Sequence, residues 1–187
     1  AKITWSTPQT GANGGWIDSS ALTYKITRLP DSIVVAETTT GNEYIDNSIT
    51  KLNIYSYQIQ AITPDGAGPT ATTDRLVMGP ALTVPYRCNF ATDDQFALWN
   101  VIDANNDEYT WKRETTLAAA YYYYNEDGET GGDDWLVSSP IHLEKNKIYR
   151  LKFKLQSYDV GYPEKVAVHL GTGASVAEQT TLLGDYE

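Results

Sequence analysis

The chain has 187 residues, 41% of them hydrophobic and 20% charged, so it can bury a core and its composition is not that of a disordered segment. Its formal net charge is -10, most of it after residue 85, which sets the surface against phosphate backbones and anionic membranes but suits divalent cations. A single cysteine, Cys88, excludes an intrachain disulfide, and no apolar run reaches membrane-spanning length.

Helical periodicity is almost absent, and short β-rich runs alternate with turn clusters. The pattern predicts strands over residues 2–6, 22–28, 33–37, 42–46, 54–62 and 70–73, then 97–102, 110–112, 117–124, 135–138, 148–157 and 165–170. Turns are expected at Asn13-Gly14-Gly15, Pro30-Asp31, Gly41-Asn42, Asp65 to Pro69 and Gly131-Gly132. In the run IYSYQIQAI, Tyr55, Tyr57, Ile59 and Ala61 face one way and Ser56, Gln58 and Gln60 the other, which predicts one buried and one wet face. Acidity and aromatic content rise after Gly79-Pro80, and a linker stiffened by Pro80 and Pro85 marks a boundary there. The expected domains are 1–78 and 79–187. The chain opens directly on a strand-like AKITW without a signal-peptide pattern, so it is expected to be part of a longer precursor.

Trp5 and Pro8, Tyr24-Lys25-Ile26, and Leu52 followed by Tyr55 and Tyr57 together resemble the fibronectin type III domain, over residues 1 to about 76. The resemblance implies an immunoglobulin-like sandwich with a tyrosine corner, acting as a spacer or binding through its loops. The family places a strand ahead of the Trp strand, and the expectation is that it is missing here or supplied by another chain, leaving a sticky edge.

Residues 83–187 resemble the cleaved-adhesin or choice-of-anchor J type of jelly-roll domain, MAM-like in shape, found in secreted bacterial surface proteins. The resemblance rests on Pro85-Tyr86 with Phe90, the Asp-x-Asn-x-Asp stretch before Trp111, Asp133-Asp134-Trp135-Leu136, Ser138-Ser139-Pro140, and the strands near 149–153 and 164–171. It implies a jelly-roll β-sandwich, incomplete where its last strands would follow. It also implies Trp99, Trp111 and Trp135 inside, and bound calcium. The fold class expected for the whole is therefore all-β, a fibronectin type III sandwich followed by a jelly-roll sandwich.

Asp103, Asn105 and Asp107 stand at alternate positions, a spacing that turns short oxygen-bearing side chains toward one point, as calcium requires. Tyr109 could add a carbonyl, and Asp133 and Asp134 sit where a loop enters a strand. These six are the candidate metal residues. Glu114 falls at the twelfth position of a calcium loop, but Glu108 occupies the sixth, where an EF-hand needs glycine. A loop of another type is expected. The alternative is a solvated acidic loop whose Asp and Asn side chains cap their own backbone.

In the run Tyr121 to Tyr124 two rings face inward and two outward, either Tyr121 and Tyr123 or Tyr122 and Tyr124. Exposed tyrosines beside acids form a candidate ligand surface, for which Tyr122, Tyr124, Glu126 and Asp127 are the named residues; cross-strand aromatic pairing is the alternative. His142 and His169 lack a metal-site or nucleophile pattern, and Cys88 lacks the surroundings of a cysteine peptidase. The expectation is a non-catalytic, secreted or cell-surface module for adhesion to host or surface glycans or proteins. It would not bind nucleic acid and would not span a membrane. The alternatives are an accessory segment of a larger secreted peptidase or glycosidase, and a structural spacer.

Overall fold

In the segment Thr23–Leu29, Tyr24, Ile26 and Arg28 alternate with Thr23, Lys25, Thr27 and Leu29, and the first set is buried. Period-two alternation with β-branched and aromatic residues is the pattern of a half-buried strand. A computed structural model describes residues 1–123, 131–157 and 165–186. The chain is all-β, with one short α-helix and two 3-10 turns among the described residues. It divides into two compact units, Ala1–Pro80 and Ala81–Glu187.

The first unit contains strands β1 (Lys2–Thr4), β2 (Thr23–Leu29), β3 (Ile33–Thr39), β4 (Glu43–Ile45), β5 (Asn53–Thr63), β6 (Gly66–Thr72) and β7 (Leu76–Met78). Among the described residues β1 pairs only with β4, antiparallel, with Ile3 opposite Tyr44. The other sheet runs β3-β2-β5-β6, and β7 continues along β5. Ile3 of the small sheet packs with Leu22, Tyr24, Ile26, Tyr57 and Ile59 of or beside the large one, so the two sheets share one core. Trp5 tilts onto Tyr24 at 5.0 Å between ring centroids. The Tyr55 hydroxyl donates to the Lys51 carbonyl at 3.0 Å, the bond of a tyrosine corner.

Two predicted details of this unit are corrected. Ser56 was expected on the wet face of β5 but is buried: it lies on a central strand, directly opposite Leu29 of β2. The glycine turn after β5 closes at Pro64-Asp65, and β6 begins at Gly66 rather than residue 70. A two-residue turn suffices, and Pro69 is tolerated on a strand that stands at the sheet edge among the described residues.

A charged group lies inside this unit. The Arg28 guanidinium donates to Asp46 at 2.9 Å, to Ser48 at 2.8 Å and to Asp31, and stands over the Tyr55 ring. The Tyr57 hydroxyl donates to the same Asp46 oxygen at 2.7 Å. The other Asp46 oxygen accepts from the Ser48 amide and hydroxyl. Arg28 is 4% exposed and Asp46 2%. Each buried charge is thus met by full hydrogen bonding, the condition under which it can be kept inside a core.

The second unit contains helix α1 (Asp93–Ala97) and strands β8 (Asn100–Asp103), β9 (Trp111–Glu114), β10 (Ala119–Tyr122), β11 (Asp134–Val137), β12 (Val166–Leu170) and β13 (Thr181–Tyr186). They form three antiparallel pairs, β8 with β11, β9 with β10, and β12 with β13. A parallel bridge joins Leu82 to Ile141. Among the described residues, no apolar side chain of this unit is fully buried. Its tryptophans are half-buried in pairs: Trp99 on Phe90, Trp111 on Tyr122, and Trp135 edge-on to His169. The three tryptophans expected inside are therefore partly wet.

The strand predicted over 97–102 is divided. Thr92 caps α1 through its side chain, the Gln95 side chain reaches back to the Ala91 amide, and only from Asn100 does the chain extend. The strand predicted over 148–157 has no ladder partner among the described residues. β7 and β13 were not predicted.

Candidate functional site

β8 ends at Asp103 and β11 begins at Asp134, and the antiparallel register sets these two residues directly opposite each other. The following loop folds over Asp103. Its carboxylate accepts the Asp107 amide at 3.2 Å with one oxygen and the Glu108 amide at 2.9 Å with the other. Asp107 in turn accepts from the Tyr109 amide at 2.9 Å and the Asn105 side-chain amide at 3.0 Å. Asn105 also donates to the Gly131 carbonyl at 3.1 Å, tying the loop to the residues that lead into β11. These bonds cap the loop's own backbone. Asn106 and Glu108 take the left-handed conformation at φ 58° and 67°. Glu108 thus adopts, as a glutamate, the backbone form for which glycine is usual.

Strand alternation separates the neighbouring acids. Asp133 turns to Trp135, whose indole nitrogen donates to it at 2.8 Å, while the Asp133 carbonyl accepts the Ala104 amide. Asp134 turns inward. Both its oxygens are out of contact with solvent and, among the described residues, receive no well-aligned hydrogen bond, although the Thr110 and Tyr122 hydroxyls approach closely enough to favour the charged form. Burial pushes the Asp134 pKa up, the hydroxyls of Thr110 and Tyr122 nearby pull it down, and the charges of Asp103 and Asp107 push it up again; the net is above the usual carboxylate value. Among the described residues, Asn105 Oδ1 is also buried without a hydrogen bond, and Thr110 Oγ1 has none beyond its loose approach to Asp134. Buried polar atoms in that condition are rare and call for a partner.

Six residues were named from sequence as metal ligands. Asp103, Asn105 and Asp107 form one loop, Asp134 joins them across the strands, Asp133 is spent on Trp135, and Tyr109, named for its carbonyl, is tied to the loop through its amide on Asp107. Glu114 lies apart, its carboxylate accepting from the Thr116 amide and hydroxyl. Thr110 was missed, since nothing in its spacing connects it with Asp134; only the folding of the loop onto β11 does. Among the described residues, no three His, Cys, Asp or Glu groups form a ready-made metal shell. The available donors are oxygens, the kind that calcium takes, and several are amide, hydroxyl or carbonyl oxygens rather than charged ones.

Of the candidate ligand surface, Tyr122 packs on Trp111 at 5.7 Å and its hydroxyl lies over Gly132, where any side chain would collide with it. Tyr121 and Tyr123 stack edge-to-face at 4.8 Å, and the Lys112 ammonium stands over Tyr123. Tyr124, Glu126 and Asp127 lie outside the described residues. His169 Nδ1 is 3.1 Å from the Gln179 carbonyl, His142 is exposed, and Cys88 is half-exposed. Compared with known proteins, the chain matches no family model, no curated protein and no solved structure. No helix among the described residues is long and apolar enough to cross a membrane.

Proposed function

We propose that this chain is a non-catalytic binding module of a secreted or surface-displayed protein, in which the second unit recognises a glycan or protein ligand through loops organised by calcium. The observation that supports it is the cluster of buried oxygens at the β8–β11 end: Asp134 Oδ1 and Oδ2, Asn105 Oδ1 and Thr110 Oγ1, beside Asp103 and Asp107. A hard dication would satisfy these oxygens and neutralise carboxylates that burial and mutual repulsion disfavour. Asp103, Asn105, Asp107, Thr110 and Asp134 would hold it. The first unit is read as a fibronectin type III-like spacer, a reading supported by the β1-β4 and β3-β2-β5-β6 sheets and the Tyr55 hydroxyl on Lys51. The jelly-roll resemblance is the corresponding reading of the second.

Thermal unfolding of the full chain in calcium and in chelator tests the ion, because a ligand bound only to the native state raises the midpoint by mass action. A rise of several degrees is expected, and equal midpoints would remove calcium from the proposal. A glycan array and a matrix-protein panel, each run in calcium and in chelator, test recognition. Retention by neither surface would leave a scaffold.

A further inference from the structure

Residues 148–155 read IYRLKFKL, with Leu151, Phe153 and Leu155 alternating with Arg150, Lys152 and Lys154. That is the pattern of a strand with one apolar and one basic face. No ladder, turn or bend involves the segment among the described residues. Ile148 is 100% exposed, Leu151 62%, Phe153 46% and Leu155 49%. The apolar surface continues onto β13, where the Tyr186 ring meets Phe153 edge-on at 5.2 Å and Leu182 and Leu183 are exposed.

Two separate costs coincide here. A contiguous apolar surface stands in water, which in folded proteins marks an interaction site. A length of backbone keeps its amides and carbonyls outside any ladder among the described residues, which is a template for another strand. The basic face restricts what can occupy it. Opposite charges directly across a ladder stabilise and like charges destabilise, so the added strand should carry carboxylates there. A second copy of a chain with net charge -10 is disfavoured by long-range repulsion.

We propose that residues 148–155 are a strand acceptor, which binds an extended segment of a partner polypeptide whose side chains alternate between apolar and acidic. Added main-chain hydrogen bonds would supply affinity, and the two faces of the segment would supply specificity.

The test uses the full chain and three labelled, end-blocked decapeptides, followed by fluorescence anisotropy. One alternates valine and glutamate, one valine and lysine, and the third is the first with a central proline. Saturable binding of the valine–glutamate peptide alone is expected, with new hydrogen-exchange protection across 148–155. The variant with Arg150→Glu, Lys152→Glu and Lys154→Glu should exchange the preference, by about ten-fold or more. Single Lys152→Glu, at an exposed position, covers the case in which the triple variant misfolds. Binding of both charged peptides alike, of neither, or without protection of 148–155 would overturn the proposal. So would sedimentation of the unliganded chain as a dimer with this segment protected, which would assign it to a second copy.

Discussion

Asp103 and Asp134 face each other across the end of the β8–β11 ladder, two carboxylates in direct register with the second one shut off from solvent. Such an arrangement is unfavourable in isolation, since like charges opposite each other destabilise a sheet and burial disfavours an ionised carboxyl. The pairing of β8 with β11 imposes it, because Val101 opposite Leu136 and Ile102 opposite Trp135 fix the register.

Removing the charge at Asp134 should therefore stabilise the metal-free protein. Asp134→Asn is expected to raise the unfolding midpoint of the second unit by a few degrees in chelator, and to abolish its response to calcium. The pH dependence has a definite sign. The folded-state pKa lies above the unfolded value of 3.8, so the native state takes up the proton first. In chelator, this group's penalty is full at neutral pH and is relieved as pH falls through the raised pKa, with no further gain below 3.8. Calorimetry across mildly acid pH reads the effect.

Asp46 behaves in the opposite way. Burial pushes its pKa up, but hydrogen bonds from the Ser48 hydroxyl and amide, the Tyr57 hydroxyl and Arg28 outweigh burial and hold it at about 2. Its contribution to the first unit is present above the unfolded value of 3.8 and is lost as pH falls from there toward 2. Asp46→Asn should cost on the order of 3 kcal/mol by leaving Arg28 without its buried partner. Tyr57→Phe should cost about 1 kcal/mol. Urea titrations of both and of the double variant should give a loss smaller than the sum, and strict additivity would show that the two bonds are independent.

Gly79 occupies φ 142°, and a Cβ there would stand 2.5 Å from both Leu52 Cα and the Lys51 carbonyl oxygen, which is the acceptor of the Tyr55 hydroxyl. Backbone cannot move aside as a side-chain tip can. Gly79→Ala should therefore cost more than about 2 kcal/mol. Gly14→Ala, at φ 74° with nothing near its Cβ, should cost about 1 kcal/mol. Chemical denaturation of the two variants side by side measures the difference.

Thr92→Ala should destabilise the second unit by about 1 kcal/mol, because it removes the cap on the Gln95 amide. A loss comparable to that of an exposed Ser or Thr elsewhere would show that α1 does not depend on its cap.

The central strands of the first unit were largely legible because they carry their own burial code. Tyr24, Ile26, Tyr57 and Ile59 alternate with polar residues, and local pattern and tertiary burial agree. β7 escaped because three residues hold no period, and the short helix escaped because one turn holds none either. Its cap was readable, however, in Thr92 followed three residues later by Gln95. At the candidate site, the Asp-x-Asn-x-Asp spacing pointed to the loop but could not choose between Asp133 and Asp134. That choice depends on which face of the β8–β11 ladder is turned inward, a long-range fact. Segment 148–155 has the periodicity of a strand, and what it lacks among the described residues is a neighbour, which periodicity cannot express.

The position of Asp103 on one strand and Asp134 on another has a topological effect. An ion held between them would act as a removable cross-link, closing the intervening chain into a loop and withdrawing conformational freedom from the unfolded state in the way a disulfide does. A chain with one cysteine could then be stapled in calcium-rich surroundings and released, open to proteases, wherever calcium is scarce.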